Sequence, residues 1–429
     1  MELLRTAGAI DVAADGTATV LLDIHPVRLA GRERVVFSDP DSSVVPAEHH
    51  REHVAGLGQA SLSLARFVPP TPAARLLDLG CGCGAQSLAQ LDYVGEVVAT
   101  DVLDRALALT AATLAGAGAD HSRVQVRQGS WFEPVAGERF DRIVANPPFV
   151  VGPPEVGHVY RDSGLGLDAA SKLVVSRCPD YLLPGGRAYL LAAWVHRAGE
   201  PWQARVASWL PDTGVRAWVL ERDAVDPATY IATWLADEDV DPRSREGRER
   251  TRRWLDYFDE NEVEAIGFGY VALEAVPGIS AEITAEELTQ PFTDPLGPEV
   301  DEFFARQRWL AAKTPQEVLD SRFGVRDQLA FEEVSVPDTA AGVGVTCAVR
   351  RVTRTDGPRF SHEIDQDVAT ILAGLRPDGL TAAEVVELFA AARGFDAARL
   401  AGPVAAILTG LVRHGMVVPA ELAQDTEAQ

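Results

Sequence analysis

The 429-residue sequence predicts an α/β protein in which helices cover both faces of a mostly parallel sheet. Short apolar strand patterns alternate with helical patterns over about residues 75–192, and this order is typical of parallel sheets. A glycine-rich loop joins the first of these strands to the next helix, as in sheets that bind a ligand at one edge. The length exceeds that of one ordinary domain, so we expect two or three domains.

The elements of this sheet follow from local patterns. Short runs rich in Val, Ile and Leu predict strands, and longer Ala- and Leu-rich segments with helical spacing predict helices. The predicted strands are 75–79, 97–101, 124–127, 142–145 and 187–192, and the predicted helices are 86–91, 105–114 and 168–181.

Other patterns flank this α/β region. Residues 1–51 alternate apolar and polar side chains and predict a small β-rich N-terminal segment. The α/β domain is expected at 52–276, with a boundary at Pro277-Gly278. Residues 277–429 predict an α+β accessory domain, in which three amphipathic helices and a strand at 362–419 are compatible with a winged-helix unit. Because this region is acidic, a helical protein-binding module is the preferred interpretation.

The composition excludes several classes of protein. Apolar residues make up 47% and charged residues 24% of the chain, which excludes a disordered or collagen-like protein. The net charge of −24 does not attract the chain to nucleic acid or an anionic membrane by charge alone. Four cysteines make no disulfide framework, and scattered histidines indicate no metal site. No apolar run is long enough to cross a membrane, so we expect a soluble, cytoplasmic protein.

A loop with three alternating glycines follows the first strand. It reads Asp78-Leu79-Gly80-Cys81-Gly82-Cys83-Gly84, and such glycines allow a tight turn close to a ligand. A structural turn and a dinucleotide-binding loop are the alternatives, since Gly80, Gly82 and Ala85 fit the relaxed dinucleotide pattern. Asp101 ends the next strand, where a carboxylate can accept hydrogen bonds from ribose hydroxyls. Asp78 either lies near a positively charged ligand group or holds the loop by hydrogen bonds. Because its carboxylate would repel a pyrophosphate, the pattern favours a ligand with an ammonium and a sulfonium.

This loop resembles motif I of the class I S-adenosylmethionine methyltransferases. The resemblance implies S-adenosylmethionine as cofactor and a Rossmann-like, seven-stranded methyltransferase sheet. It also implies that Ser130 stands where the family commonly places an Asp for the adenine amino group, and that Trp131 and Phe132 either stack on adenine or pack in the core. The implied cofactor-binding residues are Asp78, Gly80, Cys81, Gly82, Gly84, Asp101, Ser130, Trp131 and Asn146.

The tetrapeptide Asn146-Pro147-Pro148-Phe149 ends the fourth strand. Two prolines stop a central strand, so a plain strand-terminating turn is one interpretation. The chemical interpretation starts from a planar amine, whose delocalised lone pair makes it a poor nucleophile. The Asn146 side-chain oxygen and the Pro147 carbonyl are acceptors that would hold its two hydrogens and direct the lone pair. Phe149 would stack on the planar group, and no metal or covalent nucleophile is required.

This tetrapeptide resembles motif IV of the amino-methyltransferases, (N/D)PP(F/Y/W). That group includes release-factor glutamine N5-methyltransferases, adenine-N6 DNA enzymes and guanine-N2 ribosomal RNA enzymes, and the resemblance covers about residues 52–275. It implies an enzyme with Asn146, Pro147, Pro148 and Phe149 in catalysis, acting on a macromolecular acceptor. A protein or peptide amide is the preferred acceptor because the chain is acidic, and a ribosomal or transfer RNA base is the alternative. A non-catalytic cofactor-binding scaffold is a third hypothesis.

Two further segments bear on the choice of acceptor. Arg161 lies shortly after the tetrapeptide, where it is either a contact for a substrate carboxylate or phosphate, or part of a solvated loop. Six arginines between Arg243 and Arg253 form the one dense basic run of the sequence, interleaved with acidic residues. Such spacing predicts a solvated helix with i,i+4 ion pairs, and an RNA contact is the alternative.

Overall fold

We analysed a computed structural model of the chain, which describes residues 9–13, 15–40, 53–154, 164–237 and 240–427. The chain divides into two compact units, Met1–Glu287 and Leu288–Gln429. The three-part domain division of the sequence analysis stays a prediction. Within the described residues, no helix has the length and apolar character needed to cross a membrane.

The first unit is built on one eight-stranded sheet in the described residues. Its strands are β5 Ala73–Leu79, β6 Val94–Asp101, β7 Val124–Gln128, β8 Phe140–Ala145, β9 Leu182–Arg197, β10 Thr213–Val225, β11 Val263–Ser280 and β12 Glu282–Glu287. Their order across the sheet is β12-β10-β11-β9-β8-β5-β6-β7. The strands β5 to β9 are mutually parallel, whereas β11 runs antiparallel to both β9 and β10.

The predicted α/β fold is confirmed, with one strand more than the seven expected. The additional strand is β12, which pairs in parallel with β10 at the sheet edge. The strand β11 continues through Pro277-Gly278, where the sequence predicts a boundary. It can do so because residues up to Ala275 pair with β10 and Ser280 pairs again with Thr213, so the Pro-Gly dipeptide forms an irregularity inside the pairing.

Helices cover the sheet and enclose two separate apolar cores in this unit. One core lies under the parallel strands and includes Phe132, Tyr181 and Trp194. The other lies against the C-terminal end of β9 and the N-terminal end of β11, and it includes Val151 and Tyr230. The helices are α1 Gln59–Phe67, α2 Ala85–Gln90, α3 Asp104–Gly116, α4 Ala169–Arg177, α5 Trp202–Ala207, α6 Pro227–Asp237 and α7 Arg245–Glu260.

Two hairpins form the described part of the N-terminal segment. β1 Ile10–Val12 pairs with β2 Ala18–Val20, and β3 Asp23–Leu29 pairs with β4 Arg32–Ser38. The end of β4 contacts α3, because the Phe37 amide donates to Thr113 Oγ1 at 3.1 Å. The β-rich character predicted from the alternating pattern is therefore present in the described residues of this segment.

The second unit is an α+β arrangement with a core of its own. β13 Phe323–Val325 pairs with β17 Val417–Pro419, and β14 Leu329–Pro337, β15 Val345–Arg354 and β16 Ser361–Glu363 form a three-stranded sheet. The three helices and the strand predicted for 362–419 are present, and this strand pairs with β13. The helices are α8 Gly297–Ala311, α9 Pro315–Leu319, α10 Gln366–Gly374, α11 Ala382–Arg393, α12 Ala397–Arg413 and α13 Ala420–Glu427.

Candidate active site

A cavity of about 430 Å³ opens where β5, β6 and β8 reach their carboxyl ends. In open parallel sheets, ligands bind at this edge. The cavity brings together nine of the residues that the two motifs predict as site residues. They are Gly80, Cys81, Gly82, Asp101, Ser130, Trp131, Asn146, Pro147 and Pro148.

Backbone contacts with the neighbouring strand hold the glycine loop in place. The amides of Gly80 and Cys81 both donate to the Thr100 carbonyl at 2.9 Å. Gly84 has a φ of +79°, and a Cβ there would lie 3.0 Å from the Thr110 Cα. A side chain at this position would therefore be strained and would crowd α3. Gly84 shapes the loop from behind and is not one of the described residues that line the cavity.

Asp78 lies behind the loop and supports it. Its Oδ2 accepts hydrogen bonds from the Ser87 amide at 2.9 Å and the Ser87 hydroxyl at 2.6 Å. The side chain is buried, and this burial raises the pKa of Asp78 to about 6, although the bonds from Ser87 lower it. The sequence left two roles open for this carboxylate, and the contacts in the structure are those of a residue that holds the loop.

Asp101 faces the cavity at the end of β6. Its Oδ2 accepts from the Gly82 amide and its Oδ1 from the Leu103 amide, both at 3.0 Å. Burial raises the pKa of Asp101, while the hydrogen bonds from these amides lower it in part. Among the described residues that line the cavity, Asp101 is the one carboxylate. It is thus placed to accept hydrogen bonds from hydroxyl groups of a ligand.

The two cysteines of the loop are buried and not joined in a disulfide. Burial raises the pKa of the Cys81 thiol well above its usual value and that of the Cys83 thiol to about 11. Because a thiolate is the nucleophilic form, neither thiol is activated for attack. Cys81 and Cys83 therefore contribute shape to the cavity wall.

The segment after β7 divides its two aromatic side chains between cavity and core. Trp131 lines the cavity and has a φ of +49°, a left-handed conformation that is rare for a large side chain. Phe132 is buried and stacks on Tyr181 with ring centroids 4.4 Å apart. Of the two roles that the sequence left open, the structure gives Phe132 core packing, and Trp131 remains available to a ligand.

The tetrapeptide ends β8 at the mouth of the cavity. Asn146 and Pro148 are half-buried and Pro147 is buried, and all three line the cavity. Phe149 packs against the second core, which contains Tyr230, and it is not among the described residues that line the cavity. Stacking of Phe149 on an acceptor stays a prediction.

Contacts with the helices of the second core hold the chain that follows the tetrapeptide. The Val151 amide donates to the Tyr230 hydroxyl at 2.7 Å, and Gly152 forms a bridge with Leu167. A Cβ at Gly152 would lie 2.9 Å from the ring of Trp254, so this glycine allows the chain to pass close to α7. Arg161, for which the sequence left open an acceptor contact or a solvated loop, lies outside the described residues.

The basic run forms α7 and the turn before it. Arg245 pairs with Glu249 at 2.8 Å, Arg252 with Asp256 at 3.9 Å and Arg250 with Glu246 at 4.0 Å. The predicted i,i+4 pairing is therefore confirmed for these arginines. A helix whose charges are compensated in this way offers weak attraction to RNA.

Two lining residues that the motifs did not predict carry unsatisfied polar atoms. Gln86 Oε1 and Thr100 Oγ1 are buried and have no hydrogen-bond partner among the described residues. Both atoms are enclosed by protein, so neither is exposed to a ligand in the cavity. The Asp101 carboxylate and the backbone of the glycine loop are the lining groups that fit an adenosyl cofactor. Sequence reasoning did not place Gln86 or Thr100 on the cavity wall because nothing in their local pattern distinguishes them from core residues.

Residues 54–187 match a family model described as methyltransferase small domain. This part of the chain is a class I methyltransferase domain. The resemblance to class I S-adenosylmethionine methyltransferases is confirmed for this domain. The role of the Asn146–Phe149 tetrapeptide as motif IV stays a prediction. Residues 301–419 match a model described as a domain of unknown function (DUF7782). Among the described residues, no group of three or more His, Cys, Asp or Glu side chains is placed to hold a metal ion.

The methyltransferase domain is similar to curated bacterial enzymes. A release factor glutamine methyltransferase of Xylella fastidiosa is 36% identical over 132 residues, which cover 28% of this chain and 47% of that protein. One from Geobacter sulfurreducens is 37% identical over 128 residues, covering 27% and 43%. The chain thus spans about half the length of the curated relatives it matches. A solved structure of a T. thermophilus 16S rRNA N2 methyltransferase in complex with AdoMet and guanosine is 24% identical to this chain. The similarity covers 44% of this chain and 46% of that one, with a TM-score of 0.32.

Proposed function

We propose that this protein is an S-adenosylmethionine-dependent N-methyltransferase that methylates a planar amide nitrogen, preferably a glutamine-type amide of a protein or peptide. One observation carries the proposal. The first three residues of the tetrapeptide and the glycine loop line the same cavity, with Asn146, Pro147 and Asp101 all on its wall. The similarity to release factor glutamine methyltransferases supports the choice of an amide.

The residues of the chain act mainly by positioning. The cofactor, when bound, supplies an electrophilic methyl group on sulfur. Asp101 and the glycine loop would hold the adenosyl part of the cofactor, and Trp131 lines the same cavity. Asn146 Oδ1 and the Pro147 carbonyl accept the two hydrogens of the acceptor NH₂, so that the nitrogen lone pair points at the methyl carbon. Exchange of the S–C bond for the C–N bond would release to water one of the two protons that Asn146 Oδ1 and the Pro147 carbonyl hold on the acceptor nitrogen. Holding both reactants in line supplies most of the rate enhancement.

The choice between protein and RNA acceptors depends on charge outside the cavity. The chain has a net charge of −24, and three arginines of α7, namely Arg245, Arg250 and Arg252, are paired with acids. RNA binding normally requires several uncompensated Lys or Arg side chains. A protein amide is therefore the preferred acceptor, and an RNA base is the outcome that would replace it.

Replacement of Asn146 by Ala tests the catalytic part of the proposal. The variant should bind S-adenosylmethionine within about threefold of the wild-type affinity, while methyl transfer should fall by at least about a hundredfold, since one of two acceptors is lost. Calorimetry measures the first quantity and incorporation of labelled methyl groups the second. Asn261→Ala is the matched control, because that side chain binds the Tyr257 carbonyl at the end of α7. Full methyl transfer by Asn146→Ala would contradict the proposal.

The acceptor class is tested with cell extract. Wild-type protein and radiolabelled S-adenosylmethionine are added to extract that has been treated with RNase, with protease or with neither. We expect the label to survive RNase and to be lost on protease treatment. N-methylglutamine should be recovered after complete enzymatic digestion of the labelled protein. Label that is lost with RNase instead would assign an RNA base, and no transfer in any extract would favour the scaffold hypothesis.

A further inference from the structure

A two-stranded ribbon of the second unit carries an exposed surface with almost no charge. It is formed by β14 and β15, and we call its outer part, residues 334–349, the arm. Asp338 is the one charged residue of the arm, although 24% of the chain is charged. All other arm residues except Val349 are exposed, and Val343 and Val345 are 79% and 70% exposed. Contiguous exposed apolar surface of this kind marks an interaction site.

The tip of the arm is an ordered turn that uses the single charge. The Asp338 amide donates to the Gly344 carbonyl at 3.0 Å, and the strand pairing continues up to Pro337. The Asp338 carboxylate accepts hydrogen bonds from the amides of Ala340 and Ala341 at 3.0 and 2.8 Å. The charge of Asp338 therefore stabilises the turn, and the arm is a defined element of the fold.

One edge of β14 is open for pairing with another strand. In the part of the chain that the structure describes, β14 pairs with β15 alone, and β16 pairs with the inner part of β15. Proteins commonly protect such an edge with charged side chains. Glu332 and Glu333 lie at the inner end of β14 and bind Arg351 and Arg350 of β15 at 2.5 and 2.8 Å. Residues 334–337, further out, carry no charge.

The absence of charge determines which kind of partner fits the arm. RNA and anionic membranes are bound by several Lys or Arg side chains, and the arm has none. A charged protein surface would lose hydration against the arm without meeting an opposite charge. The fitting partner is therefore uncharged and apolar and has an open strand edge, as the arm of a second copy has. Two chains that each carry −24 also repel each other least where they meet through uncharged surfaces.

We propose that two copies of the chain associate through the arm, by antiparallel pairing of β14 with β14 of the second copy. The two three-stranded sheets then form one continuous six-stranded sheet with a two-fold axis at its centre. The ribbon from Leu329 to Val349 provides up to 21 residues from each copy. This number is within the range of about 20–30 that each partner contributes to a standard interface.

The distribution of acids along β14 selects the register of this pairing. Directly opposed residues point to the same face of a sheet, so the two-fold axis passes through one residue of each strand. An axis at Glu333 would oppose Glu333 with its own copy, and an axis at Ser335 would oppose Glu332 with Asp338. An axis at Val334 opposes no acid with another acid. Val334, which is 43% exposed, then lies opposite Val334 of the second copy.

Sedimentation equilibrium of the full-length protein tests the association and its register. We expect wild type to form a dimer with a Kd below about 10 µM. Val334→Arg and Val334→Glu should each raise this Kd at least about tenfold, because like charges then face each other across the axis. An equimolar mixture of the two variants should restore association as a heterodimer. Mixing does not repair a folding defect, so two variants that stay monomeric when mixed would overturn the register and with it the proposal.

Leu388→Arg is the matched control. Leu388 is 61% exposed on α11 of the same unit, so the variant places the same charge on another exposed apolar side chain. It should leave the Kd within about twofold of the wild-type value. Association that is lost in Leu388→Arg and retained in Val334→Arg would assign the contact to α11 and refute the role of the arm.

Other occupants of the arm give different results. Wild type that is monomeric at about 200 µM would overturn the proposal. Such a monomer would assign the arm to a lipid surface if it co-sediments with phosphatidylcholine vesicles, and to another protein if Val334→Arg lowers methyl transfer to protein in cell extract. Association is measured without cofactor or acceptor, so a dimer that transfers no methyl group would refute the proposed function alone.

Discussion

Asp78 and Asp101 end neighbouring parallel strands, yet their carboxylates have different tasks. Asp78 is 1% exposed, and its oxygen is engaged with the amide and hydroxyl of Ser87. Asp101 is partly exposed at the cavity wall and binds two backbone amides. One carboxylate therefore fixes the loop and the other is available to a ligand. Burial opposes ionisation of both, and it raises the pKa of each.

The raised pKa of Asp78 predicts a specific dependence of stability on pH. Because its pKa is about 6 in the folded protein and near 3.8 ordinarily, the folded state binds more protons between these values. The contribution of Asp78 to the free energy of unfolding is fully present below pH 4 and is lost as the pH rises towards 6. The loss is ~3 kcal/mol at most. In Asp78→Asn this contribution is absent, while the amide oxygen still accepts from Ser87. Urea unfolding at pH 4 to 7 should show a smaller loss in the variant, and parallel curves would contradict the prediction.

At the residue scale, sequence reasoning predicted which residues would meet where strand ends carry polar groups. Asp101, Asn146 and Pro147 line one cavity because residues at the carboxyl ends of parallel strands meet at one edge, and their roles stay predictions. Gln86 was not predicted on the cavity wall, because its placement depends on a contact with the Ser61 carbonyl, 25 positions away. Phe149 was predicted to face the acceptor, but the second core that packs on its ring is formed by distant helices.

At the scale of elements, the helices α6 and α7 support the chain that follows the tetrapeptide. They lie between β10 and β11 in the sequence and form the second core with Val151. Tyr230 of α6 accepts a hydrogen bond from the Val151 amide, two residues after Phe149. These helices therefore fix the backbone that leads away from the tetrapeptide, although they contribute nothing to the described cavity wall.

Tyr230→Phe tests this support. Loss of the hydroxyl leaves a buried Val151 amide without its acceptor, which should lower the free energy of unfolding by about 1–3 kcal/mol. We expect kcat for methyl transfer to fall about tenfold, because the tetrapeptide is less firmly held, while the Kd for S-adenosylmethionine stays within about twofold. Tyr181→Phe, whose ring stacks on Phe132 in the other core, is the control and should retain kcat. An unchanged kcat in Tyr230→Phe would show that the support is not needed for turnover.

Local patterns predicted the existence of elements better than their lengths. The strand expected at 187–192 runs over Leu182–Arg197, because its pairing with β11 extends it beyond the end of β8. The helix expected at 168–181 ends at Arg177 and continues as a short 3₁₀ turn, Cys178–Tyr181, with a proline in its first turn. Long-range strand pairing explains the first difference and the geometry of proline the second. The spacing of apolar residues in the sequence specifies neither.

At the scale of the whole molecule, the acidic charge is a property of both units. Residues 288–429 contain 21 acidic and 13 basic residues, and residues 1–287 contain 42 and 26. The charge therefore does not distinguish a catalytic part from an accessory part. It favours a protein acceptor over an RNA acceptor but does not decide between them. The N-terminal hairpins join the first unit through contacts such as that of Arg105 with Asp39 at 2.6 Å, which composition could not predict.

The division into two units predicts that cofactor binding is a property of the first unit alone. All described residues that line the cavity fall between His53 and Pro148, and this unit has its own cores. A truncated chain of residues 1–287 should therefore unfold cooperatively and bind S-adenosylmethionine within about threefold of the full chain, as measured by calorimetry. If the second unit selects the acceptor, methyl transfer to a macromolecule should fall by at least about tenfold while this affinity is retained. A folded truncated chain that does not bind the cofactor would show that residues 288–429 complete the site.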